Sequence, residues 1–408
     1  MSATNKLKIF NDPIYGFITI PNEFIYDLIQ HPYFQRLRRI SQMGLSYLVY
    51  PGAHHTRFHH ALGAMHLMQK TVEVLRHKGV IISEDEETAL YAAILLHDVG
   101  HGPFSHALEQ SLVEVHHETL SELFMHALND THESKLQMAI EMFKGIYPRK
   151  FMTQLISSQL DMDRMDYLKR DSFYSGVAEG NINSDRLIQM MTVVDDTLVM
   201  EEKSLYSIEK FLMARRLMYW QAYLHKTSLA AELMLTQALK RARKLAQKGV
   251  ELPCSNSLWF FLHQDLAATD FDADVLKQFS YLDDFDVMSA LKAWQWEEDF
   301  ILKTLSSNLV NRDLFKVTLA EEKPAKEIVT SLKEKIGKVY GVSAKDASYF
   351  VYHGKIKNQA YDKEAAPILM VKKDTTVEQV TESSDSLNSK ALSHPATKYY
   401  LCYPKDLL

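Results

Sequence analysis

The sequence predicts a mainly α-helical protein with an N-terminal β-hairpin and a small α+β region towards its C-terminal end. Over residues 21–311, apolar side chains recur at i, i+3, i+4 and i+7, which is the spacing of amphipathic helices. Residues 7–20 instead hold two β-rich runs around a turn that contains Pro13 and Gly16, which is the pattern of a hairpin. These two patterns, together with a change of pattern near residue 312, define the expected fold class.

The stretch beyond residue 312 mixes strand and helix patterns. We expect strands in FKVTL, SYFVYHGKI, ILMVKK and KYYLCYP, and helices in AKEIVTSLKEKIG and VEQVTES. Residues 383–398 are polar enough to form a loop. The expected domains are a helical one over residues 1–311, with its core at about 50–175, and an α+β one over residues 312–408.

The composition bounds the class of protein. With 46% hydrophobic and 24% charged residues, the chain resembles an ordinary folded protein. A net charge of −6 argues against nucleic acid as the main partner, because such binding needs clustered cationic surface. Two distant cysteines, Cys254 and Cys402, indicate a reducing compartment rather than a disulfide framework. No apolar run has the length of a signal peptide or membrane span, so we expect a cytoplasmic protein without a membrane partner.

Histidines crowd into one part of the chain. Eleven of the 18 fall between residues 54 and 117, and histidine is the commonest metal ligand. At the centre of this cluster, the apolar run TALYAAILL leads into His97 and Asp98 within LLHDVGHGPFSH, residues 95–106. Adjacent side chains on a helix point about 100° apart, yet at a helix end they can hold one ion. Gly100 and Gly102 would let the backbone turn and approach a ligand closely.

Two further segments can complete a metal site. HHTRFHHALG, residues 54–63, contains His59 and His60, and SQLDMDRMDYLKRD, residues 158–171, contains three closely spaced aspartates. These are Asp161, Asp163 and Asp166. Carboxylates this close repel one another unless a cation neutralises them. Mixed imidazole and carboxylate ligands suit Mn, Fe, Ni or Zn better than Ca. The phosphates of a substrate would need further cations, for which the candidates are Arg57, His101, His117, Arg164 and Lys226.

At these residues the sequence resembles the HD-domain superfamily. It is most similar to the deoxynucleoside triphosphate triphosphohydrolase branch, which includes the HD domain of the animal SAM-and-HD-domain enzyme. The resemblance follows about the first 230 residues in order and does not extend to residues 312–408. The matching motifs are NDPIYG, FQRLRRISQMG, YPGAHHTRFHHALG, LLHDVGHGPFSH, HHE, DMDRMDYLKRD and ARRLMYWQAYLHK.

The resemblance implies a metal site and a group of catalytic residues. The implied metal ligands are His60, His97, Asp98 and Asp163. His101 and His117 match positions that contact phosphates near the reacting centre. Glu109 matches a carboxylate that assists proton transfer, although relatives have Asp at this position. The domain over residues 1–311 is therefore expected to be an HD-type catalytic domain.

The resemblance also implies contacts to the substrate. Gln42 and Tyr167 match residues that read the sugar: one binds the 3′-hydroxyl and the other crowds out a 2′-hydroxyl. The other implied substrate contacts are Arg57, Asp171, Arg215 and Tyr223, to which Arg164 is added as a phosphate-binding cation.

The animal enzyme of this branch also assembles through nucleotides that bind between its subunits. The positions of this chain that match parts of that site are Lys8, Asn11, Gln35 and Arg38. Where a carboxylate should read guanine, this chain has neutral Gln30, so control by GTP is not expected. We expect a homo-oligomer, either a dimer or a tetramer.

The expected function is metal-dependent hydrolysis of deoxynucleoside triphosphates to deoxynucleoside and triphosphate. Besides the protein-bound metal, Mg can accompany the substrate phosphates. Two other functions stay open. The first is an HD phosphohydrolase that acts on nucleoside monophosphates or another phosphoester. The second is a nucleotide-binding regulator or a nucleic-acid-binding protein without turnover.

Overall fold

The structure is a computed structural model that describes residues 8–104, 106–109, 111–362, 364, 366–383 and 394–405. Its first element is the expected hairpin. Strands β1 (Ile9–Asp12) and β2 (Gly16–Thr19) pair antiparallel, with Asn11 opposite Phe17. One carboxylate oxygen of Asp12 accepts hydrogen bonds from the backbone N–H groups of residues 14 and 15, at 2.8 and 3.0 Å, and so closes the turn.

A helical body follows the hairpin. Its helices are α1 (Glu23–Gln30), α2 (Pro32–Gln35), α3 (Arg57–His77), α4 (Glu84–Leu96), α5 (His106–Glu109), α6 (His117–Thr131), α7 (Gln137–Phe143), α8 (Lys150–Ile156), α9 (Met162–Ser175), α10 (Ser184–Gln189), α11 (Leu205–Met218), α12 (Lys226–Ala246), α13 (Asn256–His263), α14 (Ala273–Tyr281), α15 (Asp284–Trp294) and α16 (Phe300–Val310). Apolar side chains at helical spacing fill a continuous core between them. Among the described residues, no helix is both long enough and apolar enough to cross a membrane.

Side-chain caps fix where several of these helices begin. Asn22, Ser83 and Asp161 cap α1, α4 and α9, each with a side-chain oxygen that accepts a backbone N–H of the first turn. Helix α4 is buried along most of its length and ends at Leu96, directly before His97 and Asp98. The expected helix end at this motif is therefore present.

A strand pair inside the helical region was not expected from the sequence. Strands β3 (Met191–Val194) and β4 (Thr197–Glu201) form a hairpin whose two turn residues, Asp195 and Asp196, both have positive φ. The prediction of helices throughout residues 21–311 is therefore wrong for this hairpin. The β-branched runs around Asp-Asp are a readable hairpin signal.

The C-terminal part contains β5 (Lys316–Ala320), α17 (Lys326–Tyr340), β6 (Tyr352–Asn358), β7 (Leu369–Val371), β8 (Val377–Gln379) and β9 (Ala396–Tyr403). Strands β5, β9 and β6 form one antiparallel sheet in that order. Strands β7 and β8 instead extend the hairpin of β3 and β4 into a four-stranded sheet, in which β4 and β7 run parallel. Strands from both sides of residue 312 share this sheet, and the domain boundary stays a prediction.

The fold class is confirmed: a mainly helical core with an N-terminal hairpin and small C-terminal sheet elements. Two local expectations are wrong. VEQVTES contains strand β8 rather than a helix, because it pairs with β7. The polar stretch at 383–398 was expected to be a loop, but β9 already begins at Ala396; residues 384–393 lie outside the described residues.

Candidate active site

Three helices bring together side-chain atoms that could hold a metal ion. His60 lies on α3, His97 follows the end of α4, and Asp163 lies in the first turn of α9. The Oδ1 atom of Asp163 is 3.1 Å from the Nε2 atom of His60 and 3.5 Å from the Nε2 atom of His97. The two Nε2 atoms are 3.4 Å apart. One ligand atom from each residue lies within 4.8 Å of the others, close enough for one ion to contact all three.

The other ring nitrogen of each histidine is already engaged. The Nδ1 atom of His97 is 2.6 Å from the carbonyl oxygen of Ile94, and the Nδ1 atom of His60 is 2.7 Å from the Oδ2 atom of Asp166. A carbonyl can only accept, so Nδ1 of His97 carries the hydrogen and Nε2 carries the lone pair. Metal-ligating histidines make this type of hydrogen bond through their second nitrogen. The donor set therefore fits a divalent metal.

The electrostatics of the three ligands favour a positive charge between them. Burial lowers the pKa of His60, but hydrogen bonds to Asp163 and Asp166 outweigh this effect and raise the pKa to about 10. Burial raises the pKa of Asp163, but the hydrogen bonds from His60 and His97 hold it well below its ordinary value. A divalent cation would supply the positive charge that a proton supplies in its absence.

Asp98 lies between this group and a second one. Its Oδ1 atom is 3.5 Å from the Nε2 atom of His97 and 3.3 Å from the Nε2 atom of His101, while its Oδ2 atom accepts a hydrogen bond from Arg57. Burial raises the pKa of Asp98, but the neighbouring cationic groups outweigh it and hold the pKa well below the ordinary value. The roles of Asp98 and of the three residues above as metal ligands stay predictions.

His101 and His117 form the second group with Glu109. Their rings stack at a centroid distance of 3.8 Å, and the Nδ1 atom of His117 is 2.8 Å from the Oε1 atom of Glu109. Burial, followed by the charge of Arg57, lowers the pKa of His101 well below its ordinary value. Both effects favour the neutral form of the His101 ring. His117 and Asp98 border a cavity of about 400 Å³ that also reaches Asp163, a size typical of small-molecule sites.

Gly100 lies where the loop after α4 touches helix α6. A Cβ atom at this position would lie 2.4 Å from the carbonyl oxygen of His117 and 2.2 Å from the backbone N of Ser121. The backbone N of Gly100 also donates to the hydroxyl of Ser121 at 2.9 Å. The glycine therefore allows the loop to touch helix α6, and its expected close approach to a ligand stays a prediction.

The residues expected to read the nucleoside lie beside His60. The ring of Tyr167 is 6.4 Å from that of His60 and 6.1 Å from that of Tyr223. The hydroxyl of Tyr223 donates to Oδ2 of Asp171 at 2.7 Å, and the Nε2 atom of His55 is 2.6 Å from Oδ1 of the same carboxylate. His55 was not expected here. It follows the matched motif's proline-glycine turn and is fully buried.

Gln42 lies next to this group through the backbone, where its N–H donates to the carbonyl oxygen of His55 at 3.0 Å. Its side-chain Oε1 atom is buried and accepts no hydrogen bond from any residue that the structure describes. Buried polar atoms are nearly always paired, so this oxygen is open to a donor that the described residues do not supply.

Two expected substrate contacts are engaged with other parts of the protein. Nη1 of Arg215 donates to the Oε1 atom of Gln159 and to the carbonyl oxygen of Ala360, both at 3.0 Å. Arg164 pairs with Asp161, which also accepts the backbone N–H of Arg164 as the cap of α9. Their roles towards a substrate stay predictions.

The four residues matched to an inter-subunit nucleotide site lie on the hairpin and on the segment after α1. Lys8 pairs with Glu23 at 2.9 Å, and Asn11 is exposed on β1. The Oε1 atom of Gln35 accepts from Nε of Arg38 at 2.9 Å. This arrangement leaves their expected role untested.

Sequence reasoning missed residues that support the site through contacts to its loop and to its histidine. Arg36 is fully buried and donates to the carbonyl oxygens of Val99 and His101, at 2.8 and 2.7 Å, which fixes the loop after α4. Asp166 was named only as one of three close aspartates, and its ion pair with Arg170 is signalled by their i, i+4 spacing on a helix. No local pattern signals the contacts of Arg36.

Comparison with known proteins places the chain in a family. The family model for the HD domain matches residues 57–171, and the model for the HD associated region matches residues 182–252. A crystal structure of a phosphohydrolase from Bacteroides thetaiotaomicron has 50% sequence identity and a TM-score of 0.94, covering 98% of this chain and 100% of that one. The protein YwfO of Bacillus subtilis is 32% identical over 421 residues, which cover 98% of this chain and 93% of that protein.

A further relative carries a more specific name. The deoxynucleoside triphosphate triphosphohydrolase SAMHD1 homolog of Dictyostelium discoideum is 30% identical over 261 residues, or 59% of this chain. The matched part covers 50% of the length of that relative. The matched motifs, the metal-ligating geometry and the whole-chain similarity to a solved phosphohydrolase agree with one another. The chain therefore belongs to the HD-domain phosphohydrolases, close to their SAMHD1-like branch.

Proposed function

We propose that this protein hydrolyses deoxynucleoside triphosphates to deoxynucleoside and triphosphate, using a divalent metal held by His60, His97, Asp163 and Asp98. The observation that carries the proposal is the convergence of two Nε2 atoms and a carboxylate oxygen within 4.8 Å, with Nδ1 of both histidines already hydrogen-bonded. Mn, Fe, Ni or Zn fits this mixed nitrogen and oxygen set, and Mg can accompany the substrate phosphates. When bound, such an ion supplies a Lewis acid for a phosphate oxygen and favours ionisation of a nearby water.

Side chains of the protein stabilise the phosphate charge and donate the proton to the leaving oxygen. Arg57 contacts Asp98 at the edge of the ligand group, so its guanidinium lies where phosphate charge would develop. His117 is oriented by Glu109 and borders the same cavity as Asp98 and Asp163. We assign His117 as the group that protonates the leaving oxygen, with Glu109 orienting it and His101 as a phosphate contact.

Recognition of the deoxyribose rests on Gln42 and Tyr167. The buried Oε1 atom of Gln42 lacks a donor among the described residues, and a 3′-hydroxyl would supply one. Tyr167 comes one helical turn after Asp163, so its ring can lie under a sugar whose phosphates reach the ligand group. The name of the Dictyostelium relative supports the same substrate class.

One experiment tests the proposal. The purified protein, loaded in turn with Mn, Fe, Ni or Zn, is incubated with the four dNTPs and the four NTPs, and the products are identified by chromatography. We expect deoxynucleoside and triphosphate, and no turnover after removal of the metal with a chelator. Release of inorganic phosphate from nucleoside monophosphates alone would favour the other phosphohydrolase function. Tight nucleotide binding without any product would favour a regulator.

Binding of nucleic acid is tested separately by a gel shift with single-stranded RNA and DNA at two salt concentrations. The net charge of −6 leads us to expect no salt-sensitive shift.

A further inference from the structure

The N-terminal hairpin is connected to the metal-ligating group by an unbroken line of charged side chains. Oδ2 of Asp12, at the hairpin turn, is 2.7 Å from Nη1 of Arg170. Nε and Nη2 of Arg170 in turn donate to the two carboxylate oxygens of Asp166, at 2.9 and 3.0 Å. Oδ2 of Asp166 is 2.7 Å from Nδ1 of His60. We call these three charged residues the Asp12–Arg170–Asp166 network.

The network is closed to solvent. The side chains of Arg170, Asp166 and His60 are 0% exposed, and that of Asp12 is 4% exposed. In a medium of low dielectric constant, charges that touch one another interact far more strongly than they do in water. The charge at one end of the network therefore affects the other end.

A glycine makes the network possible. Gly63 lies on α3 one turn after His60, and a Cβ atom there would fall 2.0 Å from Oδ1 of Asp166 and 2.2 Å from Nη2 of Arg170. A side chain at this position would displace both charged groups, so the close packing of α3 and α9 and the network depend on the same residue.

The charges show what Asp12 contributes. Oδ2 of Asp166 accepts from both Arg170 and His60. If Arg170 paired with Asp166 alone, its positive charge would draw electron density away from the bond to His60. Because Arg170 pairs with Asp12 as well as with Asp166, the network of two carboxylates and one guanidinium carries a net charge of −1 on the Nδ1 side of His60. A negative group hydrogen-bonded to the distal nitrogen of a histidine raises the basicity of its metal-binding nitrogen.

We propose that the hairpin is a working part of the metal centre, in which Asp12 and Arg170 are positioning residues that set the orientation and donor strength of His60 through Asp166. This inference rests on the proposed metal site and goes beyond it by assigning a function to the hairpin turn. Nothing in the local sequence of NDPIYG indicates it, because Arg170 lies far along the chain.

The test measures metal affinity, without a substrate. Metal-free full-length protein is titrated with Co2+ in competition with a chelator, and the visible absorption of the bound cobalt is recorded. Asp166→Asn should weaken binding by about 10- to 100-fold, the range for residues that support a ligating histidine. Asp12→Asn should weaken it by about tenfold and shift the cobalt band. The amide keeps an oxygen to accept the N–H groups of the hairpin turn while the charge is removed.

The matched control is Asp299→Asn, which removes a carboxylate from a close ion pair with Arg241 that has no contact to the network. It should lower thermal stability without changing cobalt affinity or absorption. If Asp12→Asn does not fold, Arg170→Lys serves instead, since lysine keeps the charge but cannot make the two-pronged contact to Asp166.

Affinity and absorption equal to those of the wild type in a folded Asp12→Asn or Arg170→Lys variant would overturn the inference. A wild-type protein that takes up no Co2+ would instead remove the proposed metal site, and the inference with it. The two failures are thus distinguishable.

Discussion

Asp161 and Asp163 are separated by one residue, yet their carboxylates contact different parts of the protein. The oxygens of Asp161 accept the backbone N–H groups of Arg164 and Ser158, both at 2.7 Å, whereas Oδ1 of Asp163 faces the two histidines. Asp161 ends the preceding loop and starts α9, and Asp163 is the first acidic side chain of the helix proper. One run of acidic residues therefore combines a helix cap with a candidate metal ligand.

These two residues give the first prediction. Asp163→Ala should lose bound metal and all turnover while the protein stays folded, because a charged ligand is removed. Asp161→Ala should keep its metal but lose at least about 1 kcal/mol of stability, the usual cost of removing a cap. Elemental analysis and urea unfolding of both variants provide the measurement. Full metal occupancy in Asp163→Ala would remove that residue from the site, and metal loss in Asp161→Ala would contradict the separation of roles.

The second prediction concerns the pair of Glu109 and His117. His117→Gln should lower kcat by about 10²- to 10⁴-fold, the usual contribution of a general acid, while metal content is unchanged. Glu109→Gln should lower kcat less, since it disturbs only the orientation of the ring. His126→Gln, the same substitution at an exposed histidine of α6 that does not border the cavity, is the control. Loss of metal in His117→Gln would show instead that His117 is a ligand.

The third prediction concerns the choice of sugar. An added 2′-hydroxyl would meet the ring of Tyr167 without a partner, which costs on the order of 1–3 kcal/mol. The wild type should therefore prefer dNTPs over NTPs by roughly 5- to 150-fold in kcat/KM. Tyr167→Ala should reduce this ratio even if both rates fall. Tyr147→Ala, at a tyrosine that instead bonds Glu86, should leave the ratio unchanged. Equal hydrolysis of both substrates by the wild type would disprove the sugar assignment.

The fourth prediction is a pH dependence of stability that arises at Asp284. Burial raises the pKa of this carboxyl group to about 6, although backbone N–H groups of Ser41 and Phe104 donate to its oxygens at 2.8 Å. The folded protein then keeps a proton that the unfolded chain, with a pKa near 3.9, has released. The free energy of unfolding therefore falls as pH rises from about 4 to 6, by on the order of 3 kcal/mol.

Asp284→Asn removes the carboxyl group that causes this pH dependence. As pH rises from about 4 to 6, the free energy of unfolding of the variant should therefore increase relative to that of the wild type. The altered hydrogen bonds add an offset that does not vary with pH. Urea unfolding of the metal-free proteins at several pH values measures the difference. A difference that does not vary with pH would show that the carboxyl group ionises normally in the fold.

The fifth prediction concerns assembly. The outer face of the hairpin presents Ile9 and Phe17, whose exposed fractions are 53% and 66%. We expect a homo-oligomer, and Phe17→Asp should weaken it because a charge would replace an apolar contact. Ile81→Asp, at a similarly exposed residue after α3, is the control. Sedimentation with and without nucleotide and metal measures the assembly, and a wild type that stays monomeric in all conditions would contradict the expectation.

The helical core and the position of His97 and Asp98 were predictable because they depend on local patterns. A buried helix that runs into a polar dipeptide is visible in the sequence, and so is the turn at Asp12. The hairpin at Asp195 and Asp196 is also visible in the sequence, as β-branched runs on both sides of two aspartates. It was missed because the helical pattern of the surrounding residues was assumed to continue through this segment.

The rest depends on contacts between distant parts of the chain. Asp12 and Arg170, or Arg36 and the carbonyl oxygen of His101, meet only after the helices have packed. VEQVTES is short and polar, and its conformation is decided by the neighbouring strand β7 rather than by its own propensity. Such choices are made by tertiary structure, which a single sequence does not display.

The parallel pairing of β4 with β7 has a consequence for biosynthesis. In the register of this pair, Met200 lies opposite Met370, so β4 leaves the ribosome long before the strand that covers its edge. Until then its N–H and C=O groups are open to pairing with another chain. The edge of β4 is therefore covered only once β7 has been synthesised and has folded against it, and release of a prematurely terminated polypeptide would leave that edge bare.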